Sequence, residues 1–162
     1  MYKRQLSGIA SASCAALATG SIGNKSVACT ATDAAGNSAS GNAAYRVVYG
    51  FNGFTAPVQN PPTLNVLKAG RSVPLRWRVV DAQGAPVNNL TAAAVGATAI
   101  SCPGATENRI TVYGGSNSQL QNLGNGYYQL DWLAPSSYRN TCKALNLDVG
   151  DGEAHPLQFK FN

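Results

Sequence analysis

Charge is scarce in this sequence. Only 12% of its 162 residues are Asp, Glu, Lys or Arg, which argues against a helical bundle, whose surfaces draw on Glu, Lys and Arg. No apolar run reaches the length of a membrane-spanning helix. The charged start, Met1-Tyr2-Lys3-Arg4-Gln5, is not followed by the apolar stretch of a signal peptide. His155 is the only histidine, and no Cys-x-x-Cys pair exists. A structural zinc site wants close ligand pairs, so no zinc is expected. The net charge is +5, yet the cations form no dense stripe interleaved with aromatics. Only Lys68, Arg71, Arg76 and Arg78 gather, so nucleic acid is not an expected partner.

Gly, Ala, Ser, Thr and Asn are abundant instead, a mix that suits short strands joined by many turns. The 44% hydrophobic fraction is inflated by alanine, and a thin core makes staples valuable. Four cysteines, Cys14, Cys29, Cys102 and Cys142, allow three pairings. The expected pairs are Cys14–Cys29 and Cys102–Cys142, because each lies inside one proposed module. Persistent disulfides imply an oxidising, extracellular location.

Alternation marks the strands. In Lys25–Thr32, Val27, Cys29 and Ala31 alternate with small polar residues. Asp33-Ala34-Ala35-Gly36-Asn37 reads as a turn, and Ala43–Tyr49 as the strand that pairs back. Two or three strands are too few to bury a core alone. Later strands are expected at Leu64–Leu67, Val73–Val80, Thr98–Cys102, Arg109–Tyr113, Tyr127–Leu133, Lys143–Val149 and Pro156–Phe161. Leu75, Trp77 and Val79 share one face, and Arg76 and Arg78 the other. About seven short strands at this spacing predict an all-β, antiparallel, immunoglobulin-like sandwich, preceded by a partial module of the same kind.

Residues 49–162 resemble the PxKF domain of secreted bacterial multidomain proteins. The likeness rests on Tyr49-Gly50-Phe51-Asn52-Gly53-Phe54, Asn60-Pro61-Pro62, Lys68-Ala69-Gly70, Gly126–Trp132, Thr141-Cys142, and Asp151-Gly152 before Phe159-Lys160-Phe161. Pro74-Leu75-Arg76-Trp77 stands where the family has Pro-x-Lys-Phe, keeping charge and aromaticity. The resemblance implies a place in secreted or surface architectures and no established activity. Cys14, Gly23, Val27, Cys29 and Thr30–Asn37 resemble the end of a hyalin-type repeat, which implies adhesion or extracellular scaffolding. The expected organisation has four parts. Residues 1–5 look like the translated end of a sequencing adapter, so that the natural protein would continue upstream. Residues 6–48 are the C-terminal part of an immunoglobulin-like module. Residues 49–62 are a Pro-stiffened linker packing on the next domain, and residues 63–162 are the sandwich.

No catalytic set emerges. A hydrolase needs nucleophile, base and acid in one pocket, whereas His155 stands alone before Pro156 at a strand start. Asp148, Asp151 and Glu153 form a small acidic cluster with weak calcium character, without EF-hand spacing. Arg76, Arg78, Tyr127 and Tyr128 are a candidate ligand face. Trp77, Tyr127, Tyr128 and Trp132 would be a sugar-stacking row if exposed and core if buried. No cofactor is expected. The expected partners are neighbouring domains of a longer chain, and extracellular glycans or surface proteins. The expected role is a non-catalytic stalk, spacer or terminal module of a secreted or cell-surface protein. A carbohydrate-binding accessory module of an upstream enzyme is the alternative.

Overall fold

A computed structural model describes residues 8–111 and 114–162. The proposed adapter residues and the end of the expected strand Arg109–Tyr113 lie outside them. The chain divides into two units, Met1–Val47 and Val48–Asn162.

In the first unit, β1 (Ile9–Cys14), β2 (Gly23–Asp33) and β3 (Ser38–Val47) form one antiparallel sheet in that order. Cys14 faces Cys29 across the ladder, and Ala12 faces Ala31. On the other side Cys29 faces Gly41 and Ala31 faces Ala39. Successive side chains point to opposite faces, so Ala12, Cys14, Val27, Cys29, Ala31 and Ala39 line one side. Ser13, Thr30, Thr32 and Ser40 line the other. Only Val27 and Val47 of this unit's described residues are buried. β3 begins five residues earlier than its alternation suggested. Asp33 closes the loop at Asn37 by accepting the Ala35 and Asn37 N–H groups on Oδ1, at 2.9 and 2.8 Å. Gly36 takes the required positive φ of 86°.

The second unit holds β4 (Gly50–Thr55), β5 (Leu64–Leu67), β6 (Ser72–Val80), β7 (Ala94–Ile100), β8 (Glu107–Arg109), β9 (Gln121–Gly124), β10 (Tyr127–Leu133), β11 (Cys142–Asp148) and β12 (His155–Phe161). A single 3-10 turn, Ser136–Tyr138, is its only helical element among the described residues. One sheet runs β4-β6-β10-β9 and the other β7-β11-β12-β5-β8. Both contribute to one core, with Leu75, Trp77, Val79 and Tyr128 from the first and Leu145, Leu147, Leu157, Phe159 and Phe161 from the second. This is a two-layer, all-β sandwich.

Several details differ from the sequence expectation, among them β8, which covers Glu107–Arg109 where a strand was expected from Arg109 onward, and β9, which was not expected. The sheet is not wholly antiparallel: β5 runs parallel to both β12 and β8. Periodicity reports which face a residue occupies, not which way its neighbour runs. Every residue of β5 is buried, as in parallel strands covered on both sides. The stretch read as a linker also contributes a strand, because β4 pairs with β6 from Gly50↔Val80 to Thr55↔Arg76. Finally, Thr98–Cys102 is displaced: β7 starts at Ala94, and Cys102 lies beyond its end in the bridge to Cys142.

Candidate functional site

Four groups of side chains carry chemistry. The first lies on β6 and β10. Val73, Leu75, Trp77 and Val79 point into the core, so Arg76 and Arg78 project from the opposite face of the sheet. Pro74 sits where β4 no longer pairs with β6, so its missing N–H breaks no ladder bond there. The Pro74–Trp77 motif is therefore a strand segment with its aromatic inside and its cation outside.

The aromatic row does not exist. Trp77 and Tyr128 are both 0% exposed, and their rings stack at 6.2 Å. The Tyr128 hydroxyl donates to the Val87 carbonyl at 2.9 Å and accepts the Leu90 N–H at 3.0 Å. Trp132 is half-buried, with ring centroids of Phe159 and Phe161 at 6.0 and 6.1 Å. Tyr127 alone is exposed, at 43%. Tyr128 must therefore be removed from the candidate ligand face: neighbours on a strand point to opposite sides, so Tyr127 and Tyr128 cannot share one. Arg76, Arg78 and Tyr127 remain together. Arg78 faces Tyr127 across the ladder, with its guanidinium carbon 5.4 Å from the ring centroid.

The second group surrounds His155. Its Nε2 is buried, lies 3.7 Å from Asp151 Oδ1 and has no hydrogen-bond partner. That distance is too long for a hydrogen bond, so the contact is an ion pair only when the ring is protonated. Phe51 stacks on the imidazole at 3.8 Å. The carboxylate of Asp151 is structurally committed: Oδ2 accepts the Tyr49 N–H at 3.2 Å and Oδ1 the Glu153 N–H at 3.0 Å. Burial, helped by the negative charge of Asp151, pushes the Tyr49 phenol above its ordinary pKa.

The acidic cluster is spread over turn duties. Asp148 Oδ1 accepts the Gly150 N–H at 2.8 Å, and Asp151 points inward as described. Among the described residues, no three of His, Cys, Asp and Glu gather closely enough to hold a metal ion. The third group is the cysteines. Cys14–Cys29 joins direct cross-strand partners, and Cys102–Cys142 ties the chain just past β7 to the first residue of β11. No free thiol remains.

A fourth group escaped the sequence reading. Asn60 Oδ1 accepts the Phe54 N–H at 2.8 Å while its Nδ2 donates to the Phe54 carbonyl at 2.9 Å. Asn65, fully buried, does the same for Gln59, with both bonds at 2.9 Å. Its Nδ2 also reaches the Gln158 carbonyl, and Asn108 Nδ2 donates both to its Oδ1 and to the Pro57 carbonyl. Each amide imitates a strand partner, Asn60 on the open edge of β4 and Asn65 for the segment at Gln59, which lies outside any strand. The only sequence signal is Asn in or beside apolar strand residues, where an unpaired amide would be costly.

No protein-family model matches the chain, and no curated protein matches it. Among solved structures, an endo-fucoidan hydrolase, MfFcnA9 of glycoside hydrolase family 107, aligns at 12% identity with a TM-score of 0.27. The alignment covers 96% of this chain and 28% of that one. At that score the likeness carries no argument about this chain.

Proposed function

We propose that the chain is a non-catalytic structural module of a larger secreted or cell-surface protein, acting as a stalk, spacer or terminal domain of adhesion type. The observation that carries this reading is the closure of each unit by its own disulfide, with no thiol left free. That economy suits an oxidising exterior and a chain under tension. The resemblance of residues 49–162 to PxKF domains, and of the first unit to hyalin-type repeats, supports the same setting. Commitment of chemistry-bearing side chains to the fold supports a role without catalysis. His155 is covered by Phe51, and Asp151 is spent on backbone N–H groups. Burial of Trp77 and Tyr128 weighs against the alternative of a sugar-stacking module.

Single-molecule pulling on the full chain tests this. With both bridges intact, the 40-residue loop and the 15-residue loop stay locked. Reduction should lengthen the fully unfolded chain by about 130–145 Å and about 50 Å respectively, at 3.3–3.6 Å per residue. The sandwich should give a distinct force peak before it extends. Extension with no force peak would remove the mechanical role.

A further inference from the structure

The outer face of the β4-β6-β10-β9 sheet carries charge that the fold does not use. Arg76 and Arg78 are two apart on β6, so they project on one side, about 7 Å apart along the strand. Each Nε is already held. Arg76 Nε donates to Gln129 Oε1 at 2.6 Å, and Arg78 Nε donates to the Asn125 carbonyl at 3.0 Å. Tyr127 lies against the guanidinium of Arg78. The terminal Nη groups of both arginines have no partner among the described residues. Asp131 is the only acid in the four strands. It accepts Gln129 Nε2 at 2.9 Å and pairs with neither arginine.

We propose that this face binds a polysaccharide bearing uronic-acid carboxylates, with Arg76 and Arg78 as its anchors. A guanidinium whose Nε is occupied offers its end-on Nη pair, a planar two-pronged donor that matches the two oxygens of a carboxylate. Two such forks, oriented by strand and turn acceptors, are pre-organised, so little freedom is lost on binding. Gln121, opposite Gln129 on β9, and Asn125, whose carbonyl holds Arg78, carry exposed side-chain amides without partners among the described residues, and these suit sugar hydroxyls. A peptide would want a free sheet edge or apolar pockets. At its centre this face offers neither, because β6 and β10 are paired on both sides and Leu75, Trp77, Val79 and Tyr128 point inward. The proposal goes beyond the architectural role and stands independently of it.

The test measures binding of the full oxidised chain to polygalacturonate by calorimetry and affinity electrophoresis, with dextran, dextran sulfate and poly-glutamate as comparison probes. Polygalacturonate should bind, and dextran should not. The double variant Arg76→Gln/Arg78→Gln should lose about tenfold or more in affinity, and Arg76→Lys/Arg78→Lys should fall between it and the parent. Lys68→Gln/Arg139→Gln removes the same charge elsewhere and should stay within about twofold of the parent. Unchanged circular dichroism and melting in all three variants guards against misfolding. Equal loss in the two Gln pairs would mean diffuse charge attraction and would overturn the proposal. So would full retention in the Lys pair, or tighter binding of dextran sulfate or poly-glutamate. Absence of any polygalacturonate binding would sink it while leaving the pulling result, and the mechanical role, untouched.

Discussion

One loop occurs twice in this chain, once in each unit. Asp33 and Asp81 each accept two backbone N–H groups on Oδ1, from Ala35 and Asn37 in one case and from Gln83 and Ala85 in the other, all at 2.8–2.9 Å. Gly36 and Gly84 then turn the chain with φ near 86° and 82°. Beyond that shared turn the units diverge. Residues 48–162 lay two sheets over a core of Trp77, Tyr128, Phe159 and Phe161. Residues 8–47 form one sheet, all of whose β1 side chains are exposed. Local chemistry therefore makes strands and turns equally well in both, while burial separates them. What a core supplies to the second unit, Cys14–Cys29 must supply to the first.

Breaking that bridge should have the largest effect. With Cys14→Ser/Cys29→Ser, the chain-entropy contribution of roughly 3 kcal/mol for a 15-residue loop is lost from a unit with almost no core. Limited proteolysis should then cut residues 8–47 while residues 48–162 stay intact. The matching Cys102→Ser/Cys142→Ser pair removes about 4 kcal/mol by the same reckoning. It should lower the melting temperature of the sandwich without unfolding it.

Attacking the core reverses the comparison. Trp77→Ala should cost about 3–5 kcal/mol. Both tryptophans lie in the second unit, so the remaining Trp132 fluorescence in urea reports that unit alone. Trp77→Phe should cost less, because Trp77 Nε1 is buried without an acceptor and its loss removes an unsatisfied donor.

Asn65→Ala should cost about 2–4 kcal/mol, since it strands the Gln59 backbone groups that the amide serves. Hydrogen exchange should show the segment around Gln59 opening first. A neutral outcome would mean that water serves these groups as well.

The smallest effect concerns Glu107. Its carboxyl is held below the usual range, chiefly by the hydrogen bond from Lys160 Nζ at 2.7 Å. A lowered folded pKa gives stability that is present above the ordinary Glu value of about 4.3 and fades as pH falls through the lowered one. Glu107→Gln should lower the melting temperature slightly at neutral pH, where the charged pair contributes, and leave it unchanged at pH below the lowered pKa, so that the acid side of the profile flattens.

Legibility in the sequence followed burial. β6 was visible because Leu75, Trp77 and Val79 alternate with Arg76 and Arg78, and β11 because Leu145 and Leu147 do the same. Both cysteine pairs followed from assigning each to one module. β1 was hard to see, since Ile9-Ala10-Ser11-Ala12-Ser13-Cys14 has no bulky alternation to report a buried face. β4 has the sequence of a linker, because two glycines and nearby prolines outweigh Phe51 and Phe54. The parallel partners of β5 and the amide clamps of Asn60 and Asn65 depend on residues distant in sequence, which local pattern does not reach. On the candidate ligand face Arg76 and Arg78 are legible from alternation, whereas a shared face for Tyr127 and Tyr128 runs against the two-residue period.

Native-state hydrogen exchange of the oxidised full chain, resolved by residue, probes the contrast most directly. Amides of β6, β10, β11 and β12 should exchange only by global unfolding of the sandwich. Those of β1 to β3 should exchange at far lower free energy, and faster still once the Cys14–Cys29 bond is reduced. Equal protection in the two units, unchanged by reduction, would contradict the view that one is held by its core and the other by its sulfur bridge.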